Sequence, residues 1–283
     1  MSLTPDFATF EAGWTAGRNQ IVHARLAADL DTPVSVMLKL ADAGRDAFIL
    51  ESVTGGEVRG RYSIIGMKPD LVWECRGEES RLNRSARYDR EAFEPCAEPP
   101  LQALRNLLAE SAIDMPDDLP AAAAGLFGYL GYDMIRLVER LPDVNPDPLG
   151  LPDAVLIRPS VIAVLDGVKG EVTVVAPAWV SSGLSARAAY AQSAERVSDA
   201  LRDLERAPST ATREMGAAHP LGEAMSNFSH DGYLAAVERA KEYIRAGDIF
   251  QVVPSQRWTL DLSAIRRKLF THGLSTRRPA DRG

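Results

Sequence analysis

Two long β-forming runs with almost nothing between them constrain the fold of this chain most. Ala154–Asp166 and Glu171–Ala176 are rich in Val, Ile, Leu and Ala, and only the glycine-flanked Gly167–Gly170 separates them. So short a connection cannot carry a crossover helix, so the runs are expected to pair antiparallel as a hairpin. Further strand-like runs stand at Gln20–Leu26, Ala47–Val53, Arg61–Gly66 and Leu71–Cys75. They do not alternate regularly with helices, which disfavours a doubly wound parallel sheet. The expectation is an α+β domain over residues 5–206, with antiparallel sheets packed face to face and helices outside.

The helices are marked by caps and by leucine spacing. A short helical signal covers Phe7–Trp14. Asp31-Thr32-Pro33 places a proline just inside a capping residue, and Gly44 stops the run that follows. Pro100–Ala112 carries leucines at 101, 104, 107 and 108, and Ala186–Arg206 is Ala-rich and charged at helical period. Between these, Gly125-Leu126-Phe127-Gly128-Tyr129-Leu130-Gly131-Tyr132-Asp133 sets glycines among aromatics, as suits strands whose backbones approach closely. Tyr129, Tyr132 and Asp133 read as packing residues of this stretch rather than catalytic ones.

Residues 207–225 are Pro/Ser/Thr/Gly-rich without apolar period and read as a linker. After it, Ser229-His230-Asp231 caps a helix that should run to Gly247, and Ile249–Val253 should be a strand. Residues 226–262 thus begin a second domain. In 263–283, Arg266, Arg267, Lys268, Arg277, Arg278 and Arg282 face a single acid, Asp281, and no apolar pattern offsets the entropy of ordering. This segment reads as a disordered tail whose composition differs from that of the rest.

Composition narrows the function. With 283 residues and 46% hydrophobic content the chain can bury a large core, and a net charge of −7 argues against a nucleic-acid or anionic-membrane surface. Cys75 and Cys96 are too few for a disulfide framework, and Met1–Asp6 lacks the form of a secretory signal. A cytoplasmic protein is expected. Self-contained catalytic signatures are missing: there is no phosphate-cradling glycine loop, nucleophile elbow or two-histidine metal motif. His23, His219, His230 and His272 are scattered and are expected in surface or capping roles.

Three stretches together are more specific. Asn227-Phe228-Ser229-His230-Asp231-Gly232-Tyr233, followed by Ala240-Lys241-Glu242-Tyr243-Ile244-Arg245-Ala246-Gly247-Asp248-Ile249-Phe250-Gln251-Val252-Val253-Pro254-Ser255-Gln256-Arg257, resembles the opening of the chorismate-utilising domain. Within that superfamily it looks most like the large-subunit family of anthranilate synthases. Gly128–Arg136 with Glu139-Arg140-Leu141-Pro142 resembles that family's N-terminal domain, and Leu50-Glu51-Ser52 resembles its tryptophan-binding strand. The resemblance covers about residues 5 to 262.

The resemblance implies a magnesium-dependent lyase in which ammonia adds to chorismate, the ring hydroxyl leaves, and pyruvate is eliminated. A glutamine amidotransferase subunit would supply the ammonia. Gln251 is the implied catalytic position, since water-using relatives carry a lysine there that can deprotonate water, whereas ammonia needs no such base. Ser52 is implied in feedback inhibition by tryptophan, with Glu51 reaching the ligand's ammonium and Arg61 bordering the pocket. No metal-ligating residue is assigned. The family's Asn-Pro-Ser-Pro segment, catalytic histidine and magnesium glutamates have no counterpart in the sequence, so the chain is expected to be truncated and inactive alone. A non-catalytic tryptophan- or partner-binding remnant and a fragment of aminodeoxychorismate synthase component I are the alternatives.

Overall fold

The structure, a computed structural model, describes residues 2–41, 46–51, 60–142, 146–147, 149–206 and 223–260. The chain divides into two compact units, Met1–Ser209 and Thr210–Gly283.

The first unit runs α1 (Phe7–Thr15), β1 (Gln20–Ala27), α2 (Pro33–Leu40), β2 (Ala47–Leu50), β3 (Tyr62–Arg76), β4 (Glu79–Asn83), β5 (Glu94–Pro95), α3 (Pro100–Glu110), β6 (Phe127–Leu130), β7 (Ala154–Asp166), β8 (Glu171–Ala178) and α4 (Ala186–Leu204). The α+β class with antiparallel pairing and outer helices is as expected. The expected hairpin is β7–β8, with Asp166 opposite Glu171.

The strands of this unit belong to one eight-stranded sheet rather than to separate sheets. Two long strands, β3 and β7, run through both of its halves. In one half β3 pairs with β2 and β7 with β8, which in turn pairs with β1; in the other β3 pairs with β4 and β7 with β6. The sequence shows β3 as two runs, but the structure makes it one strand with a register shift between Pro69 and Leu71. Here Lys68 takes a φ of +51° and Pro69 lies opposite Pro159. Prolines remove ladder donors and are tolerated in inner strands at such bulges, which also bend the sheet. The bend lets Phe48 of one half stack on Phe127 of the other, with ring centroids 4.6 Å apart.

Alternation on the shared strands explains the core. Ile65, Met67, Val161, Ala163, Leu165, Val172 and Val174 face α1, α2 and α4, while Ile64, Ile162, Val164 and Val175 face the opposite side under Leu119 and Ala123. Leu71, Trp73 and Cys75 of the second half pack on Leu107 of α3. Gly128 permits the close approach of β6 to β7, because a Cβ there would strike the Val155 carbonyl oxygen. Tyr129 and Tyr132, expected in packing roles, are 45% and 82% exposed: Tyr129 lies on β6, which among the described residues pairs only with β7, and Tyr132 lies in the turn that follows it. His23, expected at the surface, is buried on β1, with Nε2 3.7 Å from Asp118.

In the second unit α5 (His230–Ala246) is capped by the Ser229 side chain on the Gly232 amide and stopped by Gly247 at φ +82°, as its sequence predicts. The strand expected at Ile249–Val253 is not formed. Those residues are irregular and mostly exposed, and the described pairing is instead β9 (Met225–Ser226) with β10 (Trp258–Thr259). The reason is that a strand needs a partner for its backbone groups, and no described strand lies beside 249–253. The tail 263–283 and most of the 207–225 segment lie outside the described residues.

Candidate functional site

A cleft of about 430 Å³ opens where β2 ends, β3 begins and β7 turns into β8. Glu51, Arg61, Ser63 and Asp166 line it, and Asp29 and Asp31 reach it from the loop between β1 and α2. Antiparallel pairing of β2 with β3 brings Glu51 and Arg61 to the same end of the sheet.

Asp166 organises the cleft. It accepts the Arg61 Nε at 3.0 Å and Nη2 at 2.6 Å, and also the backbone amides of Val168 and Lys169 at 3.0 and 3.2 Å. A carboxylate satisfied by turn amides shapes an Asx-type turn, and here the same group fixes a guanidinium. The Arg61 hydrogen bonds hold the Asp166 carboxyl below its ordinary value, against the opposing effect of burial, and the two amides add to this. Gly170, at φ +64°, completes the turn and accepts the Ala28 amide at 2.8 Å, which ties the hairpin to the Asp29–Asp31 loop. Asp31 accepts Lys39 Nζ at 2.7 Å and Ser35 Oγ at 2.8 Å, while Thr32 and Ser35 cap α2 reciprocally.

The lining carries Asp29, Asp31, Glu51, Asp166 and Glu171 against Arg61. Such a cleft favours a ligand with an ammonium group near an anionic one and repels a dianion. Of the residues singled out from the sequence, Glu51 and Arg61 meet here. Ser52 lies outside the described residues, as do 53–59. Gln251 sits exposed in the irregular segment of the second unit. The sequence reading missed Asp166, whose local signal is its place immediately before the Gly167–Gly170 turn. Among the described residues no group of three or more His, Cys, Asp or Glu side chains is arranged to hold a metal ion, so the magnesium that the resemblance implies finds no fitting site there. No described helix is long and apolar enough to cross a membrane.

An acid-lined cleft at the open end of a bent antiparallel sheet is thus the site this scaffold presents. The family described as chorismate binding enzyme matches residues 51–282, and the chain belongs to that family. Along 255 residues it is 74% identical to anthranilate synthase component 1 of Cereibacter sphaeroides, a match covering 90% of this chain and 51% of the relative. The protein of the same name from Pseudomonas aeruginosa is 39% identical over 242 residues, 84% of this chain and 47% of that one. The chain spans about half the length of the curated relatives it matches. Its fold is that of the crystal structure of anthranilate synthase component I from Streptococcus pneumoniae, with a TM-score of 0.55 at 23% identity, covering 87% of this chain and 52% of the other.

Proposed function

We propose that this chain serves as the tryptophan-sensing portion of an anthranilate synthase large subunit, an enzyme that converts chorismate and ammonia to anthranilate and pyruvate in tryptophan biosynthesis. The observation that carries this reading is the 74% identity along 90% of the chain to a protein named anthranilate synthase component 1. Ammonia would come from a glutamine amidotransferase partner, and the work would be done in the cytoplasm. Residues 5–206 form the regulatory domain on this reading, 207–225 the linker and 226–262 the start of the chorismate-binding domain.

The cleft supports the regulatory assignment. A zwitterionic amino acid has an ammonium whose hydrogen bonds the Glu51 carboxylate can accept, and Arg61 supplies positive charge in the same cleft. Asp166 holds Arg61 in place through Nε and Nη2. Chorismate, a dianion, would meet the cleft's acidic lining instead. On this reading the chain forms no anthranilate alone.

Calorimetry tests the reading. Tryptophan should bind the whole chain weakly, with a dissociation constant of roughly millimolar, as fits a cleft in which one guanidinium stands among several acids. Ser52→Ala should weaken it further. Heat signals unchanged in that variant would show that Ser52 is an ordinary strand residue. Joined to the second half of a full-length relative, the chain should form anthranilate from chorismate, ammonia and magnesium. Gln251→Lys in that joined protein should admit some water-derived product, and an unaltered product spectrum would remove Gln251 from nucleophile selection.

A further inference from the structure

Among the described residues His23 is the one buried histidine, 4% exposed on β1, and its Nδ1 has no hydrogen-bond partner there. Its backbone is held on both sides. The amide donates to the Thr4 carbonyl at 2.8 Å, the His23 carbonyl accepts the Thr4 amide at 2.9 Å, and the residue stands opposite Val175 of β8. The ring shares a face of β1 with Ile21, whose cluster is covered by Leu119 and Ala123. The 113–123 segment, which carries these two residues, also reaches the ring through Asp118. With Ser2, Thr4, Arg25 and Asp118, His23 lines a cavity of about 340 Å³, although Nδ1 itself is buried.

The surroundings suit a neutral ring. Asp118 Oδ2 lies 3.7 Å from His23 Nε2, too far for a full hydrogen bond, and the same oxygen accepts Arg25 Nη2 at 2.6 Å. Arg25 also donates to the Asp118 carbonyl at 2.7 Å. Asp118 is thus committed to Arg25, whose own charge opposes a second cation beside it. The other neighbours are uncharged: Val175 and Thr173 on the facing side of β8, and Ser2 and Thr4 of the N-terminal segment. Burial first, and Arg25 after it, hold the ring's pKa below the ordinary 6.5, against the attraction of Asp118.

A neutral imidazole leaves one nitrogen as a bare acceptor, whereas a protonated ring has a charge and two N–H donors to place. One donor would point at a carboxylate that Arg25 already holds, and the other at nothing, which is costly for a buried cation. With the backbone fixed by Thr4 and β8, water reaches such a ring by movement of its cover. We propose that His23 is an acid-sensitive latch: on taking up a proton it releases the 113–123 segment from β1 and uncovers the core face beneath Leu119 and Ala123. The ring regains its ordinary proton affinity when the segment opens, so closure is at full strength above pH 6.5 and weakens as pH falls below it.

Amide hydrogen exchange on the whole chain between about pH 7.5 and about pH 5 tests this, above the range in which ordinary carboxylates titrate. The Leu119 and Ala123 amides, which donate to the Pro116 and Pro120 carbonyls, report on the segment. Corrected for intrinsic rates, their protection should fall by up to about tenfold per pH unit below 6.5, while amides of the β3–β4 ladder keep theirs. His23→Phe retains an aromatic ring that takes no proton and should remove this pH dependence; His23→Gln should do the same if the phenyl ring is not accommodated. Protection at Leu119 and Ala123 that stays constant with pH in the unaltered chain would show the ring gaining its proton in place, with water at Nδ1, and would overturn the proposal. An undiminished pH dependence in whichever variant folds would overturn it too, as would an equal fall at the β3–β4 amides, which would make the event global unfolding.

Discussion

Glu110 at the end of α3 shows how single residues of this chain carry stability. The Arg84 hydrogen bonds chiefly, and then the nearby Arg158, bring its carboxyl from an ordinary 4.5 down to about 2, against the opposing effect of burial. A carboxyl whose pKa is depressed by folding contributes its full stabilisation above the unfolded value. It loses that contribution as pH falls through the folded one, so the window here runs from about 4.5 to about 2. Glu110→Gln should cost on the order of 2 kcal/mol at neutral pH, with the difference from the unaltered chain shrinking across that window. Urea midpoints measured from pH 7 down to 2.5 check this, and acid limbs that stay parallel would assign the titration to another group. Little of this network is visible in the sequence: Arg158 lies 48 residues from Glu110 and 88 from Asp70, and it takes the pairing of β3 with β7 and the placing of the α3 end to bring the three together. Resemblance put Glu51 forward, with Arg61 beside it, and both line the cleft, but nothing local pointed to their joining Asp166, 105 residues from Arg61.

Elements were more legible where the signal is local. Thr32 and Ser229 cap their helices, Gly247 ends α5, and the short turn fixes the β7–β8 hairpin, because each depends on residues within a few positions. Where a strand depends on partners, the pattern misled: β3 was read as two strands because its bulge carries Pro69, and Ile249–Val253 has strand-forming residues but no described neighbour to pair with. The glycine pattern of β6 allows a direct test. Gly128 has a φ of +157° and faces the Val155 carbonyl, whereas Gly125 has a φ of +132° with open space around it. Gly128→Ala should destabilise the first unit by at least about 2 kcal/mol through strain and collision, and Gly125→Ala by only about 1 kcal/mol through strain. Denaturant unfolding of the two variants compares them. Equal losses would mean that β6 can move off β7 freely, and that its close approach is not what requires the glycine.

For the molecule as a whole, the distribution of buried residues determines how much of the chain folds as a cooperative body. The buried hydrophobic residues run from Phe10 to Leu204, and no described residue from 223 to 260 is buried. Apolar burial is the main favourable term in folding, so the stability of this chain resides in the first unit, while α5 has its cap and its short-range ion pairs but no core of its own. Exposed i, i+3 pairs such as Arg239–Glu242 add only a few tenths of a kcal/mol each, too little to hold a helix of this length without packing. A chain ending at Arg206 should therefore unfold in one cooperative transition with the same midpoint as all 283 residues. The helical signal of α5 should melt separately in the longer chain, over a broad range and at lower temperature. Calorimetry on both chains, with circular dichroism at 222 nm on the longer one, measures this. A midpoint several degrees lower in the shortened chain would show that the second unit stabilises the first. A single sharp transition carrying the α5 signal would show that the two units fold as one.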